Sequence, residues 1–352
     1  MSSPGATSAI AAQPLDAEPR ARVLVAGASG FGGALAAQLV WSHPRLELVA
    51  VTARSEAGTR LDRLYPRYRV PLVLEQLEVA RLEDGVDAAI VAYPHGAAAS
   101  AVAELRGLGI RIVDLSADFR LLDRPTYELW YGEHAAPELL GGGVYGLTEL
   151  DRARIAEADL VANPGCYPTA ALLALAPMAE AGLIGELVID AKSGVSGAGR
   201  GAAEQLSFVN VTEDFAPYAV AGHRHQPEIA QELQRLGGPG ELTFVPHLLP
   251  LDQGLLASCY VRLAREIGEE ELRALYDERY RAEPFVEVVE TPPGVRGVRD
   301  TNLCRVHVAL DREGARAVAF AAIDNLWKGA AGQAVQNLNV MLGLDEATGL
   351  VR

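Results

Sequence analysis

Cys166 is the residue around which chemistry could be built. It stands in NPGCYPTA, residues 163–170, between an apolar run and an apolar helical pattern. Pro168 is well placed to open that helix, whose first turn has no use for the missing N–H. The thiol then lies at a helix N-terminus, where free N–H groups and the dipole favour a thiolate. Such placement draws a thiol down from ~8.5 far enough for it to act as a nucleophile at neutral pH. Cys259 and Cys304 sit in apolar strand patterns and read as small buried hydrophobes. A reactive cysteine needs a partner that moves protons. GHRHQPE, residues 222–228, offers His223 and His225 with Arg224 between them, just before a helical pattern. No third ligand with metal spacing lies near, so proton handling is preferred to a metal site. Which of the two histidines does it stays open. His43, His134, His247 and His307 are isolated and read as structural, whereas His95 follows a strand and is placed to approach a cofactor.

A second constellation binds rather than reacts. An apolar strand beginning at Arg22 runs into GASGFGG, residues 27–33. Gly27, Gly30 and Gly33 give G-x-x-G-x-x-G, a variant of the dinucleotide fingerprint, with Ser29 and Phe31 inside the turn. The spacing suits a tight turn that brings backbone N–H groups at a helix start close to a pyrophosphate. Where an NAD enzyme usually places Asp or Glu for the ribose, the second strand ends in Thr52, Ala53, Arg54 and Ser55. A guanidinium beside a hydroxyl suits a 2′-phosphate, so NADP is favoured over NAD.

These side chains need elements to hold them. Strand patterns at 22–27, 46–53, 87–92, 110–114 and 159–163 alternate with helices over 31–41 and 96–107. Apolar strands alternating with helices predict an α/β fold with a parallel sheet covered on both faces. From about Cys166 the pattern changes. A helix over 169–181 precedes strands at 187–192, 242–248, 255–263, 304–310 and 317–323, with helices at 227–236 and 269–281 between them. That mixture predicts an α+β domain with a largely antiparallel sheet, and a last helix covers 329–342. A length of 352 residues agrees with two domains.

Composition excludes several partners. The formal net charge is -15 and no block of Lys and Arg interrupts it, so nucleic acid is not expected. No apolar run approaches the ~20 residues that span a bilayer. Three distant cysteines suggest neither zinc nor a disulfide framework, which fits a cytoplasmic protein. Residues 1–20 lack a basic start and a sustained apolar core, and read as an unstructured tail rather than a signal peptide.

Taken with DLSADFR (114–120), YGLTEL (145–150), KSGVSGAGR (192–200) and IDNLWKGAAGQA (323–334), these blocks resemble the N-acetyl-gamma-glutamyl-phosphate reductase family of arginine biosynthesis. This family lies in the aspartate-semialdehyde-dehydrogenase-like superfamily. Thr148 departs from the pattern, which more often has Pro there. The resemblance implies a Rossmann cofactor domain from 21–165 and 325–352, completed by the returning C-terminal helix. It implies a catalytic and oligomerisation domain over 166–324, and a homo-oligomer, dimer or tetramer. Cys166 matches the family nucleophile and His223 its acid/base. Asn325 and Lys328 would face the nicotinamide, with Ser193 and Gly194 on the cofactor as well. Arg120, Lys192, Arg200, Arg224 and His225 would meet the anionic groups of a small acyl phosphate. The implied reaction is reduction of N-acetyl-glutamyl phosphate to the 5-semialdehyde through a Cys166 thioester, with NADPH as reductant. Two alternatives stand beside it. One is the carrier-protein-linked amino-adipyl-phosphate reductase of lysine biosynthesis, against which CYPT argues. The other is a non-catalytic NADP-binding sensor.

Overall fold

Strands made of uninterrupted apolar residues must be covered on both faces, and the first sheet is built of these. In the computed structural model, which describes residues 18–82, 85–201, 207–220 and 222–352, seven parallel strands form it. They are β1 (Ala21–Ala26), β2 (Leu46–Thr52), β3 (Leu74–Glu75), β4 (Ala88–Val91), β5 (Arg111–Asp114), β6 (Val144–Tyr145) and β7 (Leu160–Ala162), in the order β3-β2-β1-β4-β5-β7-β6. The order reverses between β1 and β4, and the crevice beyond the carboxyl ends of such strands is where ligands bind in open α/β sheets. Helices α1 (Phe31–Trp41), α2 (Leu61–Leu64), α3 (Ala98–Gly107), α4 (Arg124–Tyr131) and α5 (Thr148–Glu157) connect these strands. The expected tail at 1–20 falls, up to residue 17, outside the described residues. Arg20 is already anchored, its Nε donating to the Leu342 carbonyl at 3.1 Å.

Helix α6 (Cys166–Glu180) crosses to the second sheet. It begins three residues before the expected start at 169, so Pro168 sits inside the first turn rather than opening it. Its sequence is apolar on every side and nearly all of it is buried. The second sheet holds β8 (Ile184–Gly194), β9 (Ala216–Pro217), β10 (Thr243–Leu249), β11 (Leu255–Leu263), β12 (Val286–Val288), β13 (Cys304–Leu310) and β14 (Arg316–Ile323). Their order is β12-β13-β14-β11-β8-β10-β9. Pairing is antiparallel except for β12 with β13 and β8 with β10. Leu172, Leu175 and Met178 of α6 pack with Ile189, Ala257 and Ala319 of this sheet in one core. Helices α7 (Phe208–Val211), α8 (His225–Arg235) and α9 (Glu269–Tyr280) fill the connections.

The chain then returns. A π-turn over Trp327–Ala331 leads into α10 (Gly332–Met341). Val335 and Leu338 of α10 share a core with Leu35 and Leu39 of α1 and with Val23 and Val25 of β1. Beyond α10, His43 Nε2 meets the Thr348 carbonyl at 3.1 Å, while the Arg45 N–H donates to His43 Nδ1 at 3.0 Å. The isolated His43 is thus a buried, fully bonded clasp on the C-terminal segment. Among the described residues no helix is long and apolar enough to cross a membrane.

Candidate active site

A cleft of about 910 Å³ opens over the carboxyl ends of β1 and β4 and reaches Cys166 at the head of α6. Its near wall is the glycine-rich turn. Gly27 holds φ +89, and a Cβ there would stand 2.7 Å from the Ala92 carbonyl group. A Cβ on Gly33 would run into the Gly27 carbonyl oxygen, so this glycine lets α1 pack onto β1. Gly30 is different: a Cβ would meet only the Gly27 oxygen at 3.7 Å, which leaves its outer side to the cleft. Gly30 caps α1 with no side chain, and no acidic residue occupies the first turn. A bare helix N-terminus over glycines fits the pyrophosphate of a dinucleotide. Ser29, Phe31, Arg54, Ser55 and His95 line the same wall. Arg54 places its guanidinium over the Tyr93 ring, 5.6 Å from the centroid, with its side chain exposed.

Cys166 is the first residue of α6 and lines the far end of the cleft. Four elements converge on it. Gly165, its helix cap, donates its N–H to Glu228 Oε1 at 2.9 Å. Arg120 donates from Nε to the Asn163 carbonyl at 2.7 Å, from Nη2 to the Leu115 carbonyl at 2.7 Å and from Nη1 to Glu228 Oε2 at 3.3 Å. From the π-turn, Gly329 presses so close that a Cβ would sit 2.8 Å from Cys166 Cβ. Burial pushes the thiol up to about 11, against the pull of the Tyr167 N–H and of Arg120. The expected lowering by the helix N-terminus is therefore not met in the free protein, because loss of water outweighs it.

His225 and His223 face this cysteine from α8 and the turn before it. The His225 ring lies against Gly165; a Cβ on that glycine would be 2.5 Å from Nε2. Burial, then His223 and Arg120, hold His225 well below the usual imidazole range. The His223 ring centroid is 4.8 Å from that of His225. Its Nδ1 accepts the His225 backbone N–H at 3.1 Å, which puts the proton of the neutral ring on Nε2, 3.3 Å from the Tyr218 hydroxyl. Burial lowers His223 to about 4, with Arg224 adding to the effect. Both rings are neutral at pH 7 and can accept a proton. Arg224 crosses the cleft to His95 Nε2 and lays its guanidinium over Tyr131, 5.4 Å from the centroid.

Models of two families match the chain: "Semialdehyde dehydrogenase, NAD binding domain" over residues 22–158 and "Semialdehyde dehydrogenase, dimerisation domain" over 166–325. The N-acetyl-gamma-glutamyl-phosphate reductase of Pelotomaculum thermopropionicum is 48% identical over 94% of this chain and 97% of its own length. The chain belongs to the N-acetyl-gamma-glutamyl-phosphate reductase family. The reductase of Nitrosomonas eutropha is 46% identical over 93% of the chain and 96% of its own. Among solved structures, aspartate semialdehyde dehydrogenase II of Vibrio cholerae superposes with a TM-score of 0.71 at 17% identity, covering 92% of this chain and 98% of that one. The aspartate semialdehyde dehydrogenase of Candida albicans, solved with NADP, gives 0.65 at 15% over 91% and 98%. These two establish the fold: a Rossmann-type parallel sheet joined to a mixed, mostly antiparallel one.

Against the family reductase pattern, the structure brings most of the expected residues to one cleft. Gly27, Gly30, Gly33, Ser193, Asn325, Arg120, Arg200, Arg224 and both histidines of the pair line it. Arg200, expected on the substrate, instead bonds Glu56 Oε1 at 3.0 Å and the Ser29 carbonyl at 3.4 Å, on the glycine-turn side. Three expectations are corrected. Lys328 is fully buried away from the cleft, its ammonium 2.5 Å from Glu149 Oε1 and 2.7 Å from Gln336 Oε1. Lys192 turns to Asp190 Oδ2 at 2.6 Å. Gly194 packs against backbone, where a Cβ would meet the Asp252 carbonyl oxygen at 2.7 Å. Glu228 and Tyr218 were not singled out from the sequence, though Glu228 ends the motif that carries the two histidines.

Proposed function

We propose that this chain is an NADP-dependent reductase that converts N-acetyl-glutamyl phosphate to N-acetyl-glutamate 5-semialdehyde and phosphate, in arginine biosynthesis. The observation that carries the reading is Cys166 at the open head of α6, with the neutral His225 ring against its cap glycine and a dinucleotide cradle across the cleft. The family relatives, 44% identical and above, bear the same reductase name.

The residues divide the work as follows. His225, whose ring lies against the cap glycine of α6, takes the thiol proton as the sulfur attacks the acyl carbon, in place of His223, to which the family resemblance gives that role. The C–O bond to phosphate breaks and a thioester forms on Cys166, so two easier steps replace one difficult reduction. When bound, the reduced nicotinamide supplies the hydride that the thioester carbonyl accepts. The thiohemiacetal then collapses with loss of the C–S bond, and the imidazole pair returns a proton to the sulfur. Proton handling of this kind is commonly worth ~10²–10⁴ in rate. His223, held by Tyr218, acts as the second member of the pair. Arg224 and Arg120 supply the positive charge for the carboxylate and phosphate in an otherwise acidic protein.

Arg54 and Ser55, just past the end of β2, support NADP over NAD, the next residue, Glu56, being held by Arg200. The description of residues 166–325 as a dimerisation domain supports a homo-oligomer. Three free cysteines suit a reducing cytoplasm.

The test runs the reaction backwards: phosphate-dependent reduction of NADP with N-acetyl-glutamate semialdehyde. Turnover is expected in the wild type, at least about a thousandfold lower in Cys166→Ser. Arg54→Ala should lose about tenfold in kcat/KM with NADP and little with NAD. Turnover with amino-adipate semialdehyde alone would move the protein to the lysine route, and silence with both from a folded, NADP-binding protein would sink the enzyme.

A further inference from the structure

Glu228 lies outside the cleft wall and takes no part in the steps above, yet it is 1% exposed and joins three parts of the site. Its Oε1 accepts the Gly165 N–H at 2.9 Å and the Tyr145 hydroxyl at 2.8 Å; its Oε2 accepts from Arg120 Nη1 at 3.3 Å. Gly165 caps α6 without a side chain; this carboxylate holds its N–H, and Thr169 holds its carbonyl at 3.0 Å. Arg120 in turn holds the carbonyl of Asn163. The Glu228–Arg120 pair therefore clamps both sides of Pro164, one peptide ahead of the cysteine.

We propose that Glu228 is a positioning residue of the reaction: its carboxylate fixes the Gly165 amide and balances the charge of Arg120, and so sets both the seat and the electrostatic surroundings of Cys166. This rests on the reading of Cys166 as the nucleophile. The charged and titratable groups around the clamp are few. Arg120 and Asp114 come from β5 and the segment after it, His95 from the segment after β4, Tyr131 from α4, Tyr145 from β6, Glu232, His225 and Glu228 itself from α8, and His223 from the turn before α8. With the imidazoles neutral, Arg120 favours the thiolate and Glu228 opposes it. Reach and charge are thus two separable properties of one side chain. Gln keeps the reach and loses the charge; Asp keeps the charge and loses the reach.

Alkylation of Cys166 by iodoacetamide is followed against pH in full-length protein, with Cys166→Ser as blank because Cys259 and Cys304 are buried. Glu228→Gln leaves Arg120 unbalanced, so its alkylation curve should move to lower pH, with roughly tenfold faster modification at pH 7. Glu228→Asp should keep the wild-type curve and lose about tenfold or more in kcat, with KM within about twofold, because the cysteine is displaced. A Gln curve that overlays the wild type overturns the proposal, since a merely structural residue lowers activity without moving that curve. If Glu228→Gln does not fold, wild-type kcat in Glu228→Asp overturns it instead. Alkylation needs no substrate, so a wild type without turnover would refute the reductase while leaving this test intact.

Discussion

At neutral pH the reacting groups of the resting cleft carry no charge. Cys166 is pushed up to about 11 by burial, His223 lies near 4, and His225 lies well below the usual range. The site thus holds a thiol beside neutral imidazoles rather than a preformed ion pair, and the nucleophile is made when the substrate arrives. The sign follows: below its folded pKa, the thiolate fraction grows about tenfold per pH unit. Alkylation of wild-type Cys166 should therefore climb steadily from pH 7 to about 10; a plateau already present at pH 7 would contradict this picture. The cysteine and the histidine pair were legible in the sequence because polar, reactive types interrupt apolar patterns there. The role of Glu228 was not, since its partners Gly165, Tyr145 and Arg120 lie 63, 83 and 108 residues away and no local pattern links them. Lys328 misled for the same reason. Its fate was decided by Glu149, 179 residues distant, which gives the buried ammonium its counter-charge.

One element that presses closely on the nucleophile is the π-turn at Trp327–Ala331. Gly329 is required there because any Cβ would stand 2.8 Å from Cys166 Cβ. Gly329→Ala must move the turn or the cysteine, and overpacking of this kind costs about 1–3 kcal/mol. A lower Tm together with at least a tenfold fall in kcat is the expected outcome, measured by thermal melts and initial rates. Normal kcat with a lowered Tm would mean that the turn yields and Cys166 does not. From the sequence this segment reads as the start of one helix over 329–342, because its residues suit a helix and a wider turn leaves no mark in a 3.6-residue period. The long elements were readable for the converse reason: α1 falls on its expected bounds, Phe31–Trp41, and β11 on residues 255–263. Strands β3 and β6, two residues each, are too short to show alternation and exist only because a neighbouring strand offers them partners.

At the scale of the whole molecule, acid stability should be set by buried histidines. His43 and His223 each lie near 4 when folded, against ~6.5 unfolded. The unfolded chain takes up those protons first, so their contribution to stability is complete above pH ~6.5 and is lost as pH falls toward 4. Asp114, raised to about 7 by burial, works in the opposite direction, losing its contribution as pH rises from ~4 to 7. Burial raises Glu232, Glu283 and Asp324 in the same sense as Asp114, while the lowered His95, His225 and Glu149 side with the two histidines. Tm should fall between pH 6.5 and 4.5, with a shallower slope in His43→Gln, and equal slopes in the two proteins would contradict the assignment. Two domains were visible in the sequence as a change of rhythm near Cys166, whereas the return of α10 to the first sheet is a long-range contact that periodicity cannot reveal. That return has a consequence for synthesis. Val335 and Leu338 complete the core over α1, so the first sheet stays unfinished while the ribosome makes everything between Cys166 and the π-turn. At ~5–20 residues per second that wait is about 10–30 s. Throughout it the nascent sheet exposes apolar surface of α1 and β1 that Val335 and Leu338 of α10 later cover.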